Sequence, residues 1–98
     1  MKNLIDKNEF YNKITEKKVL IDFYATWCGP CKMLSSVLEK LDEKKIIEIA
    51  KVDVDVCDTL ASEYEIYSVP TLILFENGKE IKRISGFISE NELEKWVM

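Results

Sequence analysis

Hydrophobic and polar positions change period several times along this chain, and each change marks an element. Residues 19–25, VLIDFYA, are a near-continuous apolar run of strand length, rich in β-formers. Such runs belong to strands covered on both faces. Residues 31–41, CKMLSSVLEKL, switch to helical spacing, with Leu34, Val37, Leu38 and Leu41 on one side. IIEIAKVDV (46–54) predicts a second strand, with both faces partly apolar, and TLILF (71–75) a third strong one. Asn77-Gly78 is a hairpin turn signal, and EIKRIS (80–85) alternates as its more polar edge partner.

Shorter elements fill the gaps. Leu4 and Ile5 suit a stub of strand. Asp6 and Glu9 make a capping-box pattern with Ile5 and Phe10 as its staple, and Phe10 and Ile14 share the face of the helix that follows. CDTLASEY (57–64) predicts a short helix with Val56, Leu60 and Tyr64 on one side. Ser89 and Glu92 form a second capping box, stapled by Ile88 and Leu93, ahead of a last helix striped by Leu93, Trp96 and Val97. The order is β-α-β-α-β-α-β-β-α. This alternation predicts an α/β domain with parallel strands, crossover helices and an antiparallel edge from the final hairpin. The sheet is expected to be mixed, with helices on both faces.

Ninety-eight residues make one domain, residues 1–98, without internal repeat or linker. With 47% apolar and 33% charged residues the chain suits a soluble globule with a small core. A net charge of −4 argues against nucleic acid, whose affinity comes mainly from Lys and Arg on phosphates. There is no basic amphipathic stretch for a membrane surface and no apolar run of transmembrane length. MKNLIDKNEF lacks the apolar core of a secretory signal, so the expected location is cytoplasmic. Three cysteines fit a secreted disulfide scaffold poorly.

Two of those cysteines give the chain its chemistry. Cys28 and Cys31, in WCGPCK, fall between the strand 19–25 and the helix 31–41. Open α/β sheets place their sites at this carboxyl end of a strand. A helix start also offers unpaired N–H groups and the positive end of the helix dipole, both of which favour a thiolate. Cys28, in the loop, is expected to be open to solvent, and Cys31, one turn in, to face the core. A zinc site would need more ligands: the chain has no His, and Cys57 is the one further cysteine. A purely structural disulfide would close so short a loop that it removes little chain entropy. Asp22 interrupts an apolar strand, where burial would raise its proton affinity toward neutral pH; a carboxylate satisfied by a neighbouring hydrogen bond is the alternative. Lys51 shares strand parity with Ile47 and Ile49 and points to their apolar face, unless its stem snorkels to the surface. Trp27 suits the rim of a site, and Trp96 the core.

DFYATWCGPCK, VPTLILFENGK and SGF, at these distances, resemble the thioredoxin family over nearly the whole length. The resemblance implies a thioredoxin-like fold with a central mixed sheet of four to five strands. It implies Cys28 as attacking cysteine, Cys31 as resolving cysteine, Asp22 as the buried carboxylate that moves the resolving thiol's proton, and Lys51 as its paired lysine. Val69 would hold the substrate strand through its backbone, and Pro70, cis, would face the disulfide. Trp27, Gly29, Pro30 and Gly86 would form the rim of the groove. There are departures. Tyr24 stands where many relatives have a second Trp, and Ser36 where a proline commonly kinks the long helix. Cys57 is expected to be half-buried and dispensable.

The function expected from this resemblance is general protein-disulfide reduction by a monomer through a reversible Cys28–Cys31 dithiol/disulfide. No bound cofactor or metal is implied. A thioredoxin reductase, by family analogy a flavoprotein drawing on NADPH, would return the electrons, and disulfide-containing proteins would be the clients. An oxidase or isomerase is disfavoured by the Gly-Pro spacer. A binding module with incidental redox chemistry is the second class of reading. Acceleration of insulin reduction by dithiothreitol separates it from catalysis.

Overall fold

A computed structural model describes all residues, 1–98. The elements in order are β1 (Lys2–Asn3), α1 (Lys7–Ile14), β2 (Lys18–Tyr24), α2 (Gly29–Glu43), β3 (Glu48–Asp53), α3 (Asp58–Glu63), β4 (Thr71–Glu76), β5 (Lys79–Ser85) and α4 (Glu90–Val97). The five strands form one mixed sheet in the order β1-β3-β2-β4-β5.

The helices divide between its faces. Phe10 and Ile14 of α1 and Leu60 of α3 pack with Val19, Ile21, Phe23, Ile73 and Phe75 on one side. Leu34, Leu38 and Leu41 of α2, with Leu93 and Val97 of α4, cover Leu20, Ile49, Leu72 and Leu74 on the other. Adjacent residues of β2 therefore serve opposite cores, which is why its sequence is apolar without alternation. Phe10 anchors the first core, its ring centroid 5.2 Å from that of Tyr64 and 5.7 Å from that of Phe75. Trp96 is half-buried against the second.

Both capping patterns start helices. The Asp6 side chain accepts from the Glu9 N–H at 2.9 Å, and Ser89 Oγ from the Glu92 N–H at 3.4 Å. Ile88 is buried with Leu93 as a staple requires, whereas Ile5 stays exposed and does not staple Phe10. The strand stub falls at Lys2–Asn3, two residues before the expected place, and leaves Leu4 buried in the core. Val56 is exposed and does not share the buried side of Leu60.

One expectation of topology is corrected. β3 runs parallel to β2, but β4 pairs antiparallel to it, so the parallel run stops one strand before the hairpin. The reason is the length of α3. Six residues of helix rise about 9 Å, against about 20 Å for a six-residue strand. The helix by itself does not span the length of a strand, and the loop after it stays at the Cys28 end of the sheet. Tyr24, Asp53 and Thr71 therefore all lie at one end, where β2 and β3 finish and β4 begins. The Cys28 loop and the Val69-Pro70 loop meet there.

Candidate active site

From Tyr24, the end of β2, three residues lead to Cys28, the N-cap of α2. The Cys28 backbone is extended (φ −94°, ψ 116°), and Pro30 follows in the first turn, where its missing N–H leaves no bond unmade. The Cys31 N–H donates to Cys28 Sγ at 3.2 Å, so the sulfur takes the place of a capping oxygen. Cys28 and Cys31 form a disulfide, their Cα atoms 5.2 Å apart. α2 runs unbroken through Ser36 over all its 15 residues, and its positive end favours charge on Cys28 once the bond is reduced.

The expected contrast in exposure is small: Cys28 is 5% and Cys31 3% exposed. The open loop does not leave Cys28 free, because the segment before β4 comes up against it. Cys28 Sγ lies 3.8 Å from the Val69 carbonyl oxygen. What differs is the direction each faces. Cys28 opens into a groove of about 500 Å³ walled by Trp27, Gly29, Pro30, Ile66, Tyr67 and Val69. Cys31 lines a smaller cavity of about 260 Å³ with Tyr24, Ser35 and Lys51.

The groove has fixed walls. Trp27 is exposed, as a rim residue should be, and its indole N–H donates to Asp55 Oδ2 at 2.9 Å. The Val69–Pro70 peptide bond is cis, as the resemblance implies. Pro70 is buried behind Val69, and its carbonyl accepts from the Gly86 N–H at 2.8 Å. Gly86 has φ +91°, a conformation that glycine adopts without penalty. Through that hydrogen bond it supports Pro70 from the far end of β5.

Asp22 lies on the α2–α4 side of the sheet, in register with Lys51 on β3 and Leu72 on β4. It is fully buried, and neither carboxyl oxygen has a hydrogen-bond partner. Burial, partly offset by the Lys51 charge, pushes its pKa from 3.8 up to about 7. The alternative of a satisfied carboxylate is thereby set aside. Lys51 lies in the expected layer, but it makes no ion pair with Asp22. Its ammonium donates to Ser35 Oγ at 2.8 Å and sits 4.4 Å from the centre of the Tyr24 ring. The Tyr24 hydroxyl in turn donates to Asn3 Oδ1 at 2.7 Å.

Cys57 stands apart, buried beyond the half-burial expected, with its thiol directed to the Leu4 carbonyl oxygen at 3.6 Å. Sequence reasoning missed Ser35, Asp55, Ile66 and Tyr67. Ser35 carried a usable signal, since it lies one helical turn beyond Cys31 and so shares its face. Ile66 and Tyr67 were signalled by their position just ahead of Val69-Pro70. Asp55 had no signal, because its partner Trp27 is 28 residues away.

Known proteins resemble this chain over nearly its whole length. The family model described as Thioredoxin matches residues 2–98. A thioredoxin of Mycoplasmoides gallisepticum is 46% identical over 97 residues, which are 97% of this chain and 97% of that protein. A bifunctional thioredoxin reductase/thioredoxin of Mycobacterium leprae is 47% identical over 74 residues, 74% of this chain and 16% of that longer protein. The structure of a mutant thioredoxin from Halobacterium salinarum superposes with a TM-score of 0.91 at 38% identity, covering 97% of this chain and 85% of that one. This chain belongs to the thioredoxin family, and it is a protein-disulfide oxidoreductase whose redox group is its own Cys28–Cys31 pair.

Proposed function

We propose that Cys28 attacks the client disulfide, Cys31 resolves the mixed disulfide, and Asp22 takes up the Cys31 proton. Asp22 carries this reading. A carboxyl without a partner in an apolar layer is costly, and trading a proton in each turnover gives that burial a purpose.

In the reduced protein the Cys28 thiolate attacks one sulfur of the client. The client S–S bond breaks, a Cys28–client bond forms, and the other client sulfur leaves as a thiolate that takes a proton from water. Cys31 then gives its proton to the Asp22 carboxylate, and its thiolate attacks Cys28 Sγ. The Cys28–client bond breaks, the Cys28–Cys31 bond forms, and the client sulfur that Cys28 had bonded departs with the electron pair and takes a proton from water. The client has gained two electrons, and the cysteine pair has lost two.

The groove supports binding of an extended client segment. Val69, ahead of β4, would pair with its backbone as an added strand. Trp27, Pro30 and Tyr67 would take its side chains. Gly29 leaves the approach open, since a Cβ there would meet nothing within 4 Å. Pro70 and Gly86 would hold Val69 in place, and the Lys51 charge would moderate Asp22. A thioredoxin reductase is the proposed electron donor, since the Mycobacterium leprae relative is a bifunctional thioredoxin reductase/thioredoxin. The working form is proposed to be a cytoplasmic monomer; no helix is long and apolar enough to cross a membrane.

The test is insulin reduction by dithiothreitol with the wild-type protein and with Asp22→Asn. The wild type should accelerate it strongly, and Asp22→Asn should be slower near neutral pH. Equal rates from about pH 6 to 9, a range bracketing the reference cysteine pKa of about 8.5, would leave Asp22 without a part in turnover.

A further inference from the structure

Lys51 faces a choice of partner. Its Cα is in register with that of Asp22 on the neighbouring strand, and both carboxyl oxygens of Asp22 are free of hydrogen bonds. An ammonium beside an unpartnered carboxyl would ordinarily close on it. Here it donates to Ser35 Oγ at 2.8 Å instead, over the Tyr24 ring. Ser35 is half-buried on α2, four residues beyond Cys31, and with Cys31 and Lys51 it lines the small cavity behind the disulfide.

We propose that Ser35 is a positioning residue for the proton acceptor: its hydroxyl anchors the Lys51 ammonium over Tyr24 and keeps it off Asp22. The inference rests on the reading of Asp22 as that acceptor. It follows from which groups surround the carboxyl. β3 contributes Lys51, the one charge felt at Asp22, β2 itself the Tyr24 phenol, and β4 the apolar Leu72 in register with it. Lys51 is the one cation in this set, so its distance governs how readily Asp22 binds a proton. A cation in contact lowers a carboxyl pKa by about 1–3 units. With Lys51 closed on it, Asp22 would be a salt-bridged carboxylate with little appetite for the Cys31 proton. With Lys51 held by Ser35, it stays a useful base. The same helix then carries both the thiol that gives up the proton and the hydroxyl that tunes its acceptor.

The experiment titrates the reduced protein while the Asp22 side-chain carboxyl carbon is followed by NMR. In Ser35→Ala the midpoint should fall by about one unit or more, as the freed ammonium pairs with the carboxyl. Ser35→Thr, which keeps a hydroxyl, should restore the wild-type midpoint. In a Lys51→Met background Ser35→Ala should have no effect. A midpoint that stays in place or rises in Ser35→Ala overturns the proposal, and so does a Ser35→Ala shift that persists without Lys51. The readout does not depend on turnover. If Asp22→Asn reduced insulin at the wild-type rate, the acceptor reading would fail, while the Ser35–Lys51 coupling would still be decided by the titration.

Discussion

The indole N–H of Trp27 donates to the Asp55 carboxylate at 2.9 Å, tying the loop before α2 to the segment after β3. This bond holds a large exposed ring as one wall of the groove. Asp55→Ala, which frees the ring, is expected to raise the KM for a protein disulfide several-fold. Trp27→Ala, which removes the wall, should raise it by about tenfold, or ~1.4 kcal/mol. Steady-state kinetics with insulin checks both. Unchanged KM values would remove Trp27 from client binding.

Asp22 makes stability depend on pH. Its folded pKa of about 7 lies above the ordinary 3.8, so the folded state holds a proton that the unfolded chain has lost. Stability should therefore fall as pH rises from about 4 to 7 and level off above that. At about 1.4 kcal/mol per unit the whole effect is a few kcal/mol. Asp22→Asn should abolish this slope and be the more stable protein at pH 8, because no buried charge must form. Urea unfolding at several pH values measures it, and a variant less stable than wild type at pH 8 would contradict the argument.

The two cysteines should react unequally when reduced. Cys28 is at the dipole end of α2, receives the Cys31 N–H and opens to the groove. Iodoacetamide at neutral pH should alkylate Cys28 at least tenfold faster than Cys31, as mass spectrometry of the peptides would show. Cys31→Ser should accumulate mixed disulfides with clients, and Cys28→Ser almost none. Preferential labelling of Cys31 would reverse the assignment.

Cys57 should be dispensable for turnover. Burial, with Asp53 as the next contributor, raises its pKa, so it stays a thiol at neutral pH, directed to the Leu4 carbonyl. Cys57→Ser should keep insulin reduction within about twofold of wild type, like a change outside the site. Loss of most of the activity would give Cys57 a part in the cycle.

Much of this was legible in the sequence because it depends on near neighbours. The apolar run around Asp22, the helical spacing of Leu34, Leu38 and Leu41, the Asn77-Gly78 turn and the caps at Asp6 and Ser89 are all local patterns. The placement of Cys28 at a helix start followed from the same reading. What escaped were relations between distant segments. The direction of β4 depends on how far a six-residue α3 can carry the chain, which alternation alone does not reveal. The choice of Ser35 over Asp22 as the Lys51 partner is a competition within a folded layer. Cys28 is covered by Val69, 41 residues later, so its burial could not be read from its own loop.

The margins of the sheet bear on self-association. β1, at one edge, is two residues long. β5, at the other, exposes nearly every side chain, and Lys79, Glu80, Lys82 and Arg83 occupy four of its seven positions; its register with β4 shifts between Leu74 and Phe75. Short length, charge and irregular pairing each discourage one sheet from extending another. A protein proposed to receive unfolded, strand-like segments beside Val69 would otherwise risk templating its own polymer. With both flanks blunted, it can be abundant and still offer backbone pairing to its clients at the disulfide.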